Sequence, residues 1–102
     1  MTYLAYCQGG KMDKNFYDKK TEIFKALANP MRLQIIDLLL NGEKCVCEIV
    51  KELNYEQSHI SKGLVKLKSV HLIKDRKDGL NVYYSLNCDC MKDFFNCLNG
   101  II

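Results

Sequence analysis

The chain has 102 residues, with six cysteines, one proline and no tryptophan, a length that suits one domain with a modest core. Hydrophobic residues make up 48% and charged residues 26%, an ordinary globular balance, and no run is long and apolar enough for a membrane span. The first residues lack the basic start and apolar run of a secretory signal, so a cytoplasmic protein is expected.

Residues 1–11 read as an irregular arm with Gly9-Gly10 as a joint, and residues 12–102 as a single domain. A helix is predicted over about 12–28, with Phe16, Ile23 and Leu27 on one face. Asn29-Pro30 breaks it, and Pro30 suits the first turn of the next helix. That helix runs to Leu40 with Leu33, Ile36 and Leu40 inward, and Asn41-Gly42 closes it. A short helix, Cys45 to Leu53, carries Val46, Ile49, Val50 and Leu53, followed by a turn at Asn54-Tyr55. The next helix, Glu56 to about Val70, places Ile60, Leu64 and Leu67 at i, i+4, i+7. Its other face is polar and basic. Two helices joined by a tight turn, the second basic, form a helix-turn-helix candidate.

The period then changes. Leu72–Arg76 and Asn81–Leu86 read as strands, joined by a turn over Lys77–Leu80 that carries the Asp-Gly signal for positive φ. This hairpin is a wing. A last helix, about Asp89 to Asn99, sets Met91, Phe94, Phe95 and Leu98 at i, i+3, i+4, i+7. That stripe needs a partner: the domain's own core, or the same helix of a second subunit. The expected fold class is mainly α with a small β-hairpin, a winged helix-turn-helix in the order α-α-α-α-β-β-α.

The net charge of +3 is unevenly placed. Glu56 to Gly79 carries six Lys/Arg against three Asp/Glu, and the rest of the chain holds nine of each. All the net positive charge falls in one quarter of the sequence, the footprint expected for a phosphate backbone. A solvated helix face would give the same count.

Clustered thiols in a cytosolic chain favour metal binding or redox work over structural disulfides. Cys45-Val46-Cys47 is the sharpest motif. A helix N-terminus lowers a thiol's pKa, and thiolates select soft ions. At an irregular helix start, sulfurs two residues apart can converge on one ion. Cys88-Asp89-Cys90 is a second pair, with Cys97 on the same helical face as Cys90. For Cys97, core packing beside Phe94, Phe95 and Leu98 is the stronger expectation. His71 reads as structural. An enzyme is not expected, since neither pair has Cys-x-x-Cys spacing, no βαβ pattern is present, and a Cys–His pair is poorly supported. The alternative is a thiol-redox or persulfide sensor.

This arrangement resembles the ArsR/SmtB family of metal-responsive repressors. Lys25-Ala26-Leu27-Ala28-Asn29-Pro30-Met31-Arg32-Leu33 looks like the family's "ALADPTRL" signature. Gln57-Ser58-His59-Ile60-Ser61-Lys62, with Leu64 and Leu67, looks like its recognition helix. Asp78-Gly79 followed by Val82-Tyr83-Tyr84-Ser85-Leu86 looks like its wing. The match runs from about residue 20 to 87. The resemblance implies a homodimer through the first and last helices, bound to two-fold operator DNA upstream of a resistance operon. Recognition helices would enter successive major grooves ~34 Å apart. It places Gln57, Ser58, His59, Ser61 and Lys62 near base edges or phosphates, and Lys66, Lys74, Arg76 and Lys77 mostly at phosphates. Neither a membrane nor a small organic substrate is expected as a partner.

Glu43-Lys44-Cys45-Val46-Cys47-Glu48 resembles the family's "ELCVCDL" metal box, with Lys44 in place of Leu. Arsenic sensors often add a third cysteine three residues after the second, where Val50 stands here. The resemblance implies Cys7, on the arm, as third ligand beside Cys45 and Cys47. The regulatory ion would be As(III) or Sb(III) first and Cd(II) or Pb(II) next, with no permanent cofactor. Cys88 and Cys90 fall where zinc-type members carry an Asp-x-His pair. The His-x-x-Glu such sites also need is lacking, so the expected second site, Cys88, Cys90 and Cys97, is a thiol one. Gly63 stands where members carry a larger residue. It either weakens its helix by about 1 kcal/mol or permits close backbone approach.

Overall fold

The computed structural model describes residues 14–102, so Cys7 and the predicted arm lie outside the described residues. In chain order the elements are α1 (Lys14–Leu27), α2 (Pro30–Leu39), β1 (Lys44–Cys45), α3 (Val46–Leu53), α4 (Gln57–Ser69), β2 (Ile73–Asp78), β3 (Asn81–Leu86) and α5 (Cys90–Ile101). The strands form one antiparallel sheet in the order β1-β3-β2. No helix among the described residues is long and apolar enough to cross a membrane.

The α1–α2 corner is built by the Asn-Pro-Met-Arg run. The Asn29 side chain accepts a hydrogen bond from the Arg32 backbone N–H at 3.1 Å, and Pro30 opens α2. Arg32 then reaches back to donate to the Ala26 and Lys25 carbonyls at 2.6 and 3.3 Å. The Lys25 carbonyl also accepts from the Ala28 N–H at 3.2 Å, and the carbonyls at the end of a helix are the ones left without an intrahelical donor. One four-residue run thus ends one helix, starts the next and fixes the angle between them.

The core is centred on α2. Ile35, Ile36 and Leu39 are buried with Ala26, Ile49, Ile60, Leu64, Leu67, Ile73, Met91 and Phe95. Burying each large side chain is worth about 1.5–3 kcal/mol. The predicted inward set Leu33, Ile36 and Leu40 is half a correction, since Leu33 and Leu40 are only partly buried. Because α1, α3, α4 and β3 all pack on α2, its buried arc is wider than one amphipathic stripe. Gly63 has a packing reason. A Cβ there would meet the Met31 side chain at 2.8 Å and Ile35 at 3.3 Å, so the glycine lets α4 lie close on α2.

One turn differs from expectation, and the end of α4 adds a cap that was not foreseen. Asp78 pairs with Asn81, so the wing loop is only Gly79-Leu80, and Lys77 and Asp78 belong to β2. Gly79 takes φ 64°, which suits a two-residue hairpin loop. At the end of α4, the Leu72 N–H bonds to the Leu67 carbonyl at 3.1 Å and the His71 N–H to the Lys68 carbonyl at 2.9 Å. This is a Schellman cap, with His71 at φ 64° in the place glycine usually takes.

Candidate DNA-reading surface and thiol site

Helix α4 buries Ile60, Gly63, Leu64 and Leu67 and turns the opposite side to solvent. Gln57, Ser58 and Lys62 are exposed there, and Ser61 is half-buried at its edge. His59 is exposed at one flank of this face. The cations expected at phosphates divide into two groups. Lys62, Lys74 and Lys77 are exposed and form no ion pair among the described residues. Lys66 and Arg76 are engaged within the protomer. The Lys66 ammonium lies 3.8 Å from Glu22 on α1. The Arg76 guanidinium donates to both Glu43 carboxylate oxygens, at 3.0 and 2.7 Å, and stacks 4.8 Å from the Tyr83 ring. It holds the Glu43 carboxyl below its ordinary value, chiefly by hydrogen bonding and against an opposing effect of burial. Exposed pairs like these are weak, so a phosphate can replace the carboxylate.

The thiol pair sits where the wing meets the helix-turn-helix. Cys45 ends β1, stands opposite Tyr83 of β3, and also caps α3. Its backbone N–H donates to the Glu48 carboxylate at 3.0 Å. Its sulfur lies 2.8 Å from that of Cys47, with Cys45 buried and Cys47 exposed. The two cysteines share a cleft of about 290 Å³ with Gln57 and Ser61 of α4 and with Leu80, Asn81 and Val82 of the wing. The expectation of a lowered thiol pKa is overturned at Cys45. Hydrogen bonding with Cys47 pushes that thiol up, and this outweighs the Glu48 backbone amide, which favours the thiolate.

The second pair looks different. Cys88 and Cys90 are joined as a disulfide at the start of α5. Cys97 is exposed two turns further on, so it neither joins them nor packs in the core, where α5 instead supplies Met91 and Phe95. The single second site of three thiols is therefore not assembled. Among the described residues no three His, Cys, Asp or Glu side chains are gathered to hold an ion. Cys7, the expected third partner of Cys45 and Cys47, lies outside the described residues. Sequence reasoning missed β1, the Glu43–Arg76 pair and the outward position of Val65. Only Val65 had a local signal, its place in the recognition helix at i+3 from Lys62.

Residues 29–75 match the family model for bacterial regulatory proteins of the arsR family. The chain is also 40% identical to an HTH-type transcriptional regulator of Methanocaldococcus jannaschii, over 83% of this chain and 97% of that one. The chain belongs to the ArsR/SmtB family of transcriptional repressors. The arsenical resistance operon repressor of Staphylococcus aureus is 34% identical over 83% of this chain and 82% of the relative. A solution structure of a homodimeric winged helix-turn-helix DNA-binding domain from Mycobacterium bovis, a possible ArsR-family regulator, superposes with a TM-score of 0.79. It is 32% identical and covers 90% of this chain and 87% of that one. These are regulators rather than enzymes, and this ArsR/SmtB chain is accordingly a winged-helix DNA-binding protein, mainly α with a small hairpin.

Proposed function

We propose that this ArsR/SmtB protein is a homodimeric operator-binding repressor released when Cys45 and Cys47 take a thiophilic ion, As(III) or Sb(III) first, Cd(II) or Pb(II) next. The observation that carries the reading is the 2.8 Å approach of the two sulfurs inside a cleft shared with α4 and the wing. Two thiolates on one ion at metal–sulfur lengths of about 2.3 Å stand roughly 3.5–3.8 Å apart. The pair need open by only about an ångström, and the exposed Cys47 is free to swing. Such an ion supplies a soft, strongly thiolate-binding centre that replaces the thiol protons. A third donor is required, and Cys7 is proposed for it.

The chain's own residues then carry the signal. Cys45 belongs to the sheet through Tyr83 and to α3 as its cap. Displacing its sulfur moves β1 against β3 and the start of α3 together. Helix α3 packs on α4, and Gln57 and Ser61 line the same cleft, so the DNA-facing helix is re-aimed. Ion binding and DNA binding oppose each other by a coupling of about 1–3 kcal/mol, and the coupling is reciprocal.

Dimerisation through α1 and α5 is supported by apolar groups left in water. Phe24 is 59% exposed although its ring packs edge-on against Phe94, and Ile101 is 80% exposed. A second copy would cover this side, and the Mycobacterium bovis domain is described as homodimeric. A thiol-redox sensor is the second reading, favoured by the Cys88–Cys90 disulfide.

The test is fluorescence anisotropy of fully reduced protein on the DNA upstream of its own gene. As(III), Cd(II), Pb(II) and Zn(II) are titrated in turn. Release by As(III) or by Cd(II)/Pb(II), lost in Cys45→Ser/Cys47→Ser with DNA binding intact, is the expected result. Release that survives the double substitution would remove these thiols as the sensor. Release by an oxidant alone would move the reading to redox.

A further inference from the structure

The described residues hold six exposed large apolar side chains. Tyr17 and Phe24 belong to α1, and Ile101 and Ile102 to the end of α5 and the residue after it, the side assigned above to a second copy. Leu80 is the wing tip. Val65, 67% exposed, is the sixth, and it stands on α4. Every other exposed residue of α4 is polar: Gln57, Ser58, His59, Lys62, Lys68 and Ser69. At 100° per residue, Ser58, Lys62 and Val65 fall at i, i+4, i+7 and form one stripe, opposite the buried row of Ile60, Gly63 and Leu67. The valine thus sits at the centre of the outward face. A β-branched residue there brings neither helix propensity nor core packing.

The face suits a nucleic-acid groove: Lys62 is exposed on it, Lys74 and Lys77 are exposed on the neighbouring β2, and α4 itself carries no carboxylate. In the major groove the donor and acceptor pattern is polar at every base pair, and the one apolar feature is the thymine C5-methyl group. We infer that Val65 reads a thymine methyl in each half-site of the operator. The inference rests on α4 being the helix that enters the major groove. It adds a base-specific apolar contact to a surface otherwise equipped with hydrogen-bonding and charged groups. Because Val65 is exposed and is not one of the buried core residues, it can serve this contact without opening the core.

The experiment begins with an operator selected from a pool of random duplexes by the full-length protein. Each symmetric pair of thymines is then replaced by deoxyuridine, which removes the methyl and keeps every hydrogen bond. One pair of positions is expected to weaken wild-type binding by about fourfold per half-site, the worth of one buried methyl. The variant Val65→Ala is expected to be indifferent to that replacement and to keep the wild-type salt dependence. Lys62→Ala is expected to keep the methyl sensitivity while its salt slope falls by about one. Operator binding with no thymine whose methyl matters to wild type and not to Val65→Ala overturns the inference alone. Failure of the protein to select any operator overturns it together with the DNA-reading assignment of α4.

Discussion

Cys45 and Cys47 lie at the start of α3 and Cys88 and Cys90 at the start of α5, with the same spacing but offset by one residue: Cys45 is the N-cap of its helix, whereas Asp89 is the N-cap of α5. The first pair is anchored in the sheet, and its cleft contains Gln57 and Ser61, at the beginning of α4. The second pair follows β3 in an exposed bend, closed on itself. Its nearest link to α4 runs through Asn87, whose N–H bonds to the Leu72 carbonyl at 3.0 Å and whose side-chain amide donates to the His71 carbonyl at 3.1 Å. One pair therefore adjoins the reading end of α4 and the other its capped end. Spacing decides whether two sulfurs can meet, and the surrounding bonds decide what their meeting can move.

The largest expected effect separates the α5 end from the α3 site. Phe24→Asp places a charge on the exposed ring position between α1 and α5 and should yield monomers in sedimentation velocity. Operator affinity should then fall by about 100-fold or more, because two half-sites are no longer engaged together. Ion affinity at Cys45 and Cys47 should stay within about threefold if Cys7 comes from the same protomer, and drop further if it comes from the partner. A variant that remains dimeric would remove this face as the interface.

Next in size is the exchange of the two pairs. Cys45→Ser/Cys47→Ser should abolish a release that amounts to about 5–150-fold in operator affinity. Cys88→Ser/Cys90→Ser should preserve it within about twofold. Equal losses in both variants would show that the two ends of α4 act together and would erase the distinction drawn above. The pH dependence follows from Cys45. Its thiol is held above the ordinary value by Cys47, so ion binding displaces protons throughout the neutral range. Affinity should rise with pH, and calorimetry in buffers of different ionisation enthalpy should count the protons released.

What was legible in the chain was local. Asn29-Pro30 lies within one turn of what it organises, and Asp78-Gly79 announces a hairpin by its own backbone needs. The apolar row of α4 repeats at helical spacing. What was not legible depended on partners far along the chain. β1 is two residues long and exists only because β3 lies beside it. Arg76 meets Glu43 across a separation of 33 residues. The rule that a helix start acidifies a thiol is local too, and it failed at Cys45 because the neighbouring sulfur is the larger influence. The reason for Gly63 depended on where Met31 would lie.

The Glu43–Arg76 pair gives a smaller, directional prediction on the side of the first cysteine pair. Glu43→Gln removes the carboxylate that holds Arg76 and should raise operator affinity about two- to threefold at low salt, an effect on the scale of an exposed ion pair. The gain should fade as salt screens the surface. Because the Glu43 pKa lies below its unfolded value, the pairing is present above the ordinary carboxylate range and is lost only as pH falls through the lowered value. Wild type and variant should therefore show the same difference across neutral pH. Unchanged affinity in Glu43→Gln would mean that Arg76 does not reach a phosphate.

The smallest effect probes the other end of α4. His71 holds a left-handed conformation at φ 64° in a cap that glycine fills without strain. A non-glycine residue there costs about 1–2 kcal/mol, part of which glycine returns through its freer unfolded chain. His71→Gly should therefore stabilise the fold by about 0.5–1 kcal/mol, read as a rise of a few degrees in the melting temperature. The hydrogen bond from Asn87 is to the His71 backbone carbonyl, so it survives the change. Operator affinity and ion response should stay within about twofold. A stabilised variant whose operator affinity drops tenfold would mean that the His71 side chain itself meets DNA. A variant whose ion response changes would mean that the cap, and with it the loop leading to Cys88, transmits to α4 as the first pair does.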